Sequence, residues 1–344
     1  MAKHRAHDGR EDWTRRFQQD QHDDDHLQKS GRFSKRSKFA NLMRIRRTTE
    51  LRRSSETAPD LDQLPVGVVA QVYSLFVEVL HGGRAFLATQ RGSVRKIHET
   101  DVVAGDEVRF RESGAMHESG RPEAVIEAVL PRRTVLLRAD SFKQIHQHPI
   151  VANAHQMLIV ASVLRPRVKW GLIDRMLIAA SSGGLAPLLC LNKMDLLDPE
   201  AAAELRPVLD HYIAIGVPVF EASVPTGKGL AAVVAALAGK TTVLAGHSGV
   251  GKSSLIRAIA PALDIKVGDI SGFNEKGRHT TTSAKRYELP SGDVVIDTPG
   301  VRHFGLWNVT PENLESFFPD VAAGDAPEWR TESYERILAS LAET

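Results

Sequence analysis

The hydrophobic pattern changes character twice along the chain. Before about residue 63 no apolar period is sustained, and nothing predicts a helix or strand that could bury a face. From Val66 to Leu80 the residues form a valine-rich, strand-favouring run, His81-Gly82-Gly83-Arg84 reads as a turn, and Ala85-Phe86-Leu87-Ala88 forms a further apolar run. Arg91 to Val94, Gly105 to Phe110 and Ala124 to Leu130 continue the series of short strands and glycine turns. About five strands in so short a stretch predict a small closed barrel, an OB-fold foremost, with a purely structural β-module as the alternative. After Arg138 apolar runs alternate with helical stretches: Met157 to Val160 as a buried strand, Gly171 to Ser182 as an amphipathic helix, Leu188 to Leu191 as the next strand. That alternation predicts a mostly parallel sheet with helices on both faces, whose ligands bind at the carboxyl ends of the strands. The expected fold class is therefore multidomain, a β-barrel followed by an α/β domain.

Composition narrows the reading. A chain of 344 residues, 42% hydrophobic, has room for two or three units with real cores. No apolar run is long enough to cross a bilayer and the N-terminus lacks a signal-like apolar stretch, so a cytoplasmic protein without a membrane partner is expected. The single cysteine, Cys190, excludes an intrachain disulfide framework and any zinc site built on two thiolates of this chain.

The net charge of +2 conceals an asymmetry. Ten of the 25 residues from Lys29 to Arg53 are basic and one, Glu50, is acidic, so the rest of the chain is net acidic. Such a segment cannot bury enough surface to offset its chain entropy and is expected to stay disordered until it meets a polyanion, with a solvated tail as the bland alternative. The expected organisation is a basic extension over 1–63, a barrel over 64–138, an α/β domain over 139–309 and a short helical region over 310–344.

Three motifs carry the chemistry. The strand Thr241 to Ala245 leads into Gly246-His247-Ser248-Gly249-Val250-Gly251-Lys252-Ser253, followed by Ser254 and a helix that stops at Pro261. This is a phosphate loop in its required context: backbone N–H groups cradle phosphates, Lys252 reaches the β and γ phosphates, and the Ser253 hydroxyl ligates Mg²⁺. Asp293 to Gly300 is an apolar strand delivering Asp297 and then Gly300, the first a Mg²⁺ acid and the second an amide for the γ phosphate. Leu191-Asn192-Lys193-Met194-Asp195 matches the guanine-reading N-K-x-D. A carboxylate at Asp195 offers only acceptors, which suits the N1–H and amino donors of guanine and repels adenine. GTP with Mg²⁺ is the expected ligand.

The motifs run in an unusual order, the base motif preceding the phosphate loop. Between them Glu221-Ala222-Ser223-Val224, continuing to Leu230, resembles the second base-contacting loop that normally follows N-K-x-D, which adds Ser223 and Val224 to the expected binding residues. Circular permutation is physically reasonable because domain termini tend to lie close together on the surface. It puts the C-terminal junction just after Gly300, in the expected switch region.

At this point the chain resembles the RsgA (YjeQ-type) family of circularly permuted GTPases. The likeness spans roughly 64 to 310 and rests on Leu130-Pro131-Arg132-Arg133, Ile173-Asp174-Arg175, Gly246 to Ser254, Gly277-Arg278-His279-Thr280-Thr281-Thr282 and Phe304-Gly305-Leu306-Trp307. It implies an OB-fold bound to ribosomal RNA, a GTPase assisting late maturation of the small ribosomal subunit, and hydrolysis stimulated by that subunit, in a protein expected to be a monomer. It also implies a switch segment from Phe273 to Arg286, with Thr281 as the Mg²⁺-sensing hydroxyl and Thr280 or Thr282 as register alternatives. Val301 occupies the position where Ras-type enzymes carry a water-orienting glutamine, and the family places a functional histidine at His279, so His279 and Thr281 are the expected catalytic residues. The departure is at the C-terminus. Residues 308 to 344 hold neither cysteine nor histidine, so the family's zinc module is expected to be replaced by a metal-free region with helices at Pro311 to Phe318 and Glu332 to Leu341. Two other classes stay open on the residues alone: a P-loop enzyme acting on a small molecule, and a nucleotide-regulated RNA-binding protein with negligible hydrolysis.

Overall fold

The computed structural model describes residues 60–90, 102–138, 148–261, 284–298, 306 and 308–342. The basic segment, the Arg91 to Val94 turn, and His279, Thr281, Gly300 and Val301 lie outside the described residues.

Alternation with period two builds the first layer. Strands β1 (Val66–Val72), β2 (Val77–His81), β3 (Arg84–Gln90), β4 (Glu107–Met116) and β5 (Pro122–Val129) turn Val69, Val79, Phe86, Val108, Phe110 and Ile126 into one buried cluster. β1 pairs antiparallel with β2 and also with β4, β2 with β3, β3 runs parallel to β5, and β5 returns antiparallel to β4. The ring therefore closes in the order 1-2-3-5-4-1, the five-stranded OB-fold expected from the strand count.

A short hairpin, β6 (Val135–Arg138) and β7 (His148–Ala152), leads away from the barrel. The paired arginines of Leu130 to Arg133 fasten this exit. Arg132 grips Asp106 with two bonds, Nε to Oδ1 at 2.7 Å and Nη2 to Oδ2 at 2.8 Å, and Arg133 Nη2 meets Glu107 Oε1 at 2.6 Å. Asn153 completes the clasp, donating from Nδ2 to Gly105 O at 3.0 Å and accepting from Arg133 N at 2.8 Å.

The second layer is the α/β domain. Its strands are β8 (Gln156–Ser162), β9 (Ala186–Asn192), β10 (Val219–Glu221), β11 (Thr241–Ala245), β12 (Lys285–Glu288) and β13 (Val294–Asp297), in the spatial order β10-β9-β8-β11-β13-β12. All pairs from β10 to β13 are parallel, and β12 closes the row antiparallel. β12 also touches the barrel, its Lys285 pairing with Gln71 of β1.

Both faces are covered, so β8 is buried at every position. Met157 and Ile159 point with Leu189, Leu191, Val243 and Ile296 to one side, where α1 (Trp170–Ser182) and α2 (Pro199–Ala214) pack. Leu158 and Val160 point with Cys190, Leu244 and Val295 to the other, under α3 (Leu230–Leu237) and α4 (Lys252–Ile259). Among the described residues no helix is long and apolar enough to cross a membrane.

The C-terminal region differs in detail from the sequence expectation. Only a 3-10 turn, Leu314–Phe317, forms where a helix was expected. Pro319 lacks the N–H needed to continue it and instead opens a separate helix, α5 (Pro319–Ala323), while α6 (Glu328–Ala342) starts after Pro327. A buried ionic cluster attaches this region. Arg330 of α6 pairs with Asp174 of α1 and, through Nε at 3.0 Å, with Asp320 Oδ2 of α5. His211 Nε2–H of α2 donates to the same Asp320 oxygen at 2.8 Å, and Tyr212 OH donates to Asp174 Oδ1 at 2.7 Å. Burial pushes the Asp174 carboxyl up, against the pull of Arg330. Burial also works to raise Asp320, but the bonds from His211 and Arg330 outweigh it and hold that carboxyl below its ordinary value.

Candidate active site

The chain runs outward from β8 to β9 and β10, then returns to the other flank of β8 as β11. The reversal opens a crevice at the carboxyl ends of β8 and β11, where open α/β sheets bind ligands. The phosphate loop leaves β11 at that point and feeds α4, whose N-terminal N–H groups carry partial positive charge.

Two glycines are required by close approach. Gly246 has φ +142°, and a Cβ there would lie 2.1 Å from the Val160 carbonyl oxygen. Gly251 has φ +97°, and its Cβ would lie 2.4 Å from Asn192 Nδ2. The second contact brings the base motif onto the phosphate loop. Asn192 donates from Nδ2 to Val250 O at 2.9 Å, and Lys193, in the left-handed region at φ 63°, donates from Nζ to Gly249 O at 2.7 Å. Lys193 Nζ also donates to Arg165 O, in the turn that follows β8.

Asp195 is held from the neighbouring loop: Ser223, itself buried, donates its hydroxyl to Asp195 Oδ1 at 2.6 Å, while Asp195 stays exposed to a ligand. Met194 packs against the core beneath, and Val224 packs against the opposite cluster. The two segments expected to contact the base are thus joined by a hydrogen bond, although some thirty residues separate them.

At the phosphate end Lys252 Nζ donates to Gly246 O at 2.6 Å and His247 O at 3.3 Å. His247 is exposed and its Nδ1–H donates to Ser248 O at 2.9 Å; Ser248 and Ser254 are exposed as well, and Ser253 is half-buried. Asp297 ends β13 with 1% exposure, and its Oδ1 has no hydrogen-bond partner. Burial pushes its carboxyl up to about 7, while Lys252 and the Thr298 backbone N–H pull the other way. Burial likewise lowers the Lys252 ammonium, opposed by Asp297. An orphaned, desolvated carboxylate oxygen beside a loop shaped for phosphates has the chemistry of an acid that binds a hard divalent cation, so Asp297 fits Mg²⁺.

The RsgA GTPase family model matches residues 129–307. The protein named small ribosomal subunit biogenesis GTPase RsgA 1 of Vibrio vulnificus is 39% identical over 268 residues, 70% of this chain and 75% of its own length. The one from Yersinia enterocolitica is 34% identical over 328 residues, covering 87% of this chain and 93% of itself. The chain belongs to the RsgA GTPase family. The solved structure of YjeQ from Thermotoga maritima shares its fold at 28% identity and a TM-score of 0.63, covering 81% of this chain and 99% of that one. A second solved structure, YloQ, described as a circularly permuted GTPase, matches with a TM-score of 0.60 at 23% identity and speaks to the fold alone. As an RsgA GTPase the protein is a GTP hydrolase with a permuted motif order.

The sequence pattern marks the motif residues but not how they are joined. The turn after β8 belongs to no motif, yet Ser162 Oγ–H donates to Pro166 O at 2.8 Å to shape it, and Lys193 ties it to the phosphate loop. A cavity of about 70 Å³ separates that turn and α1 from the phosphate loop, with Arg167, Lys169, Met176, His247 and Val250 among its lining residues.

Proposed function

We propose that the protein binds the small ribosomal subunit, hydrolyses GTP to GDP and phosphate there, and assists the subunit's late maturation. The observation that carries this is the hydrogen-bonded union of the base motif with the phosphate loop at the sheet's switch point, in a chain whose relatives are named for small-subunit biogenesis. Asp195, oriented by Ser223, reads guanine with its carboxylate; Asn192 and Lys193 hold the base loop against Gly249 and Val250. The amides from Gly246 to Ser254 take the phosphates, with Lys252 at the β and γ groups and Gly300 at the γ group. Ser253, Thr281 and Asp297 would hold the Mg²⁺ that accompanies GTP, an ion that spreads phosphate negative charge.

Hydrolysis needs a water in line with the γ phosphorus, so that the P–O bond to the bridging oxygen breaks as the new one forms. Val301 cannot orient that water, and His279 takes the task on the subunit. Ribosomal RNA is met by the OB barrel and the basic Lys29 to Arg53 segment. The protein acts as a cytoplasmic monomer, and its C-terminal region needs no zinc. Single-turnover hydrolysis with and without purified small subunits tests the reading. The parent should accelerate on the subunit, and His279→Ala should keep GTP affinity while losing the acceleration. Equal stimulated rates would remove His279 from the mechanism.

A further inference from the structure

Arginine pairing singles out one turn of the molecule. Arg84, Arg109, Arg111, Arg121, Arg132, Arg133, Arg206, Arg286, Arg330 and Arg336 each form an ion pair with a carboxylate. Arg175 donates to Ser340 Oγ and Arg257 to Ser253 O. Of the arginines whose side chains are described, only Arg165 and Arg167 have no side-chain partner among the described residues, and Lys169 two residues on has none there either. All three are exposed, and they stand within five residues of one another in the segment between β8 and α1. Three unpaired cations so close together repel one another, a cost that an approaching polyanion would relieve.

Their position gives this turn a route to the chemistry. Arg167 and Lys169 form part of one wall of the cavity whose other wall includes Gly246, His247 and Val250. The backbone carbonyl of Arg165 and that of Gly249 share a single donor, Lys193 Nζ. A Cβ on Gly249 would lie 3.6 Å from Pro166 Cδ, so turn and phosphate loop are also in near van der Waals contact. The hydrogen-bonded tie between the turn and the phosphate loop is the Lys193 side chain, and a load on the turn is passed along it.

We infer that Arg165, Arg167 and Lys169 form a contact for RNA phosphates on the GTPase domain, and that this contact reports subunit binding to the phosphate loop through Lys193. The inference rests on the small-subunit reading above and deepens it: it names RNA backbone as the partner of this turn and supplies a route for stimulation. RNA is favoured over an acidic protein surface because the proposed partner is largely a phosphate polyanion and three clustered point charges suit phosphate oxygens without base specificity.

The test is the full chain carrying Arg165→Gln, Arg167→Gln and Lys169→Gln together, none of which alters a side chain that contacts the bound nucleotide in the reading above. Affinity for a fluorescent GDP analogue and hydrolysis without subunits should stay within about twofold of the parent. Binding to purified small subunits in a non-hydrolysable GTP analogue, measured across a salt series, should weaken, and the slope of log K against log salt should fall by about two to three. Subunit-stimulated turnover should drop at least about tenfold. An unchanged salt slope overturns the RNA contact. Lost stimulation with an unchanged slope assigns the turn to a protein contact and overturns it equally. A reduced slope with full stimulation overturns the route through Lys193. The parent is measured in the same series, and if it neither binds nor responds to subunits, the failure lies in the small-subunit reading and not in the turn.

Discussion

Arg330→Met removes the cation that joins the C-terminal helices to the GTPase domain. The side chains of Asp174 and Asp320 are 0% and 3% exposed, so both carboxylates would stay buried after the substitution. Breaking a buried pair by deleting one partner costs about 3–5 kcal/mol, because an uncompensated charge is left behind. Asp320 keeps His211 and Asp174 keeps Tyr212, which puts the expected loss near the lower end, about 3 kcal/mol. The sign of its pH dependence follows from Asp174. Burial already raises that carboxyl, and losing Arg330 raises it further. A group whose folded pKa lies above its unfolded value contributes stability at low pH that disappears as pH rises through the folded value, so the deficit of the variant should be larger at about pH 8 than at about pH 5.5. Each unit of extra shift titrated in that window adds about 1.4 kcal/mol to the difference. Urea unfolding of nucleotide-free protein, followed by tryptophan fluorescence, reads both quantities, since Trp329 packs against Trp170, His211 and Tyr212 beside the cluster. A loss below about 1 kcal/mol at pH 8, or equal deficits at the two pH values, would refute a buried cluster acting as an electrostatic attachment. Asp174→Asn combined with Arg330→Met should recover part of the loss, because the amide oxygen still accepts from Tyr212 and carries no charge.

Three further outcomes follow from the nucleotide site. Asp195→Asn replaces an acceptor by a donor opposite the guanine amino group, so GDP affinity should fall about 100-fold while xanthosine diphosphate, with a carbonyl at that position, gains; competition binding measures both. Gly251→Ala puts a methyl 2.4 Å from Asn192 Nδ2 at a positive φ and should weaken GDP binding by at least about tenfold in calorimetry, whereas Gly216→Ala, with open space around it, should not. Lys193→Ala cuts the bonds to Gly249 O and Arg165 O, and release of a fluorescent GDP analogue in stopped flow should speed up about tenfold; an unchanged rate would remove Lys193 as the tie.

Local patterns were easy to read where one rule decides. Thr241–Ala245 is a strand in the sequence pattern and in the structure alike, because an apolar run bounded by a lysine turn and a glycine loop has one way to be buried on both faces. The barrel was legible as five short strands, but its closure depends on β1 meeting β4 across forty residues, which alternation does not encode. Where a helix was expected at Pro311 to Phe318 only a 3-10 turn forms, and Pro319, which cannot donate to it, opens the next helix instead. In the site, Asn192 and Lys193 were legible as base-motif residues, while their bonds to Val250 and Gly249 were not. Those bonds depend on β8 separating the two loops by one strand width, a property of sheet order. That Arg165 and Arg167 have no side-chain partner among the described residues is invisible in composition, since it concerns which carboxylates reach them.

The single rung between Gln71 and Lys285 makes the barrel a cap on the outermost strand of the GTPase sheet. An uncovered outer strand is a template for intermolecular pairing, and β12 reads Lys285-Arg286-Tyr287-Glu288, three charges in four residues. The strand is thus protected twice, by a neighbouring fold that occupies one end and by side chains that discourage a stranger from pairing with the rest. Separating the two folds by cutting before the β6–β7 hairpin would break that rung together with the Asn153 bonds to Gly105 and Arg133 and the Ala152 N–H bond to Ala104 O, and would leave an outer strand already defended by charge. The charges on β12 would then be what keeps the exposed edge of the GTPase sheet from pairing with a second copy.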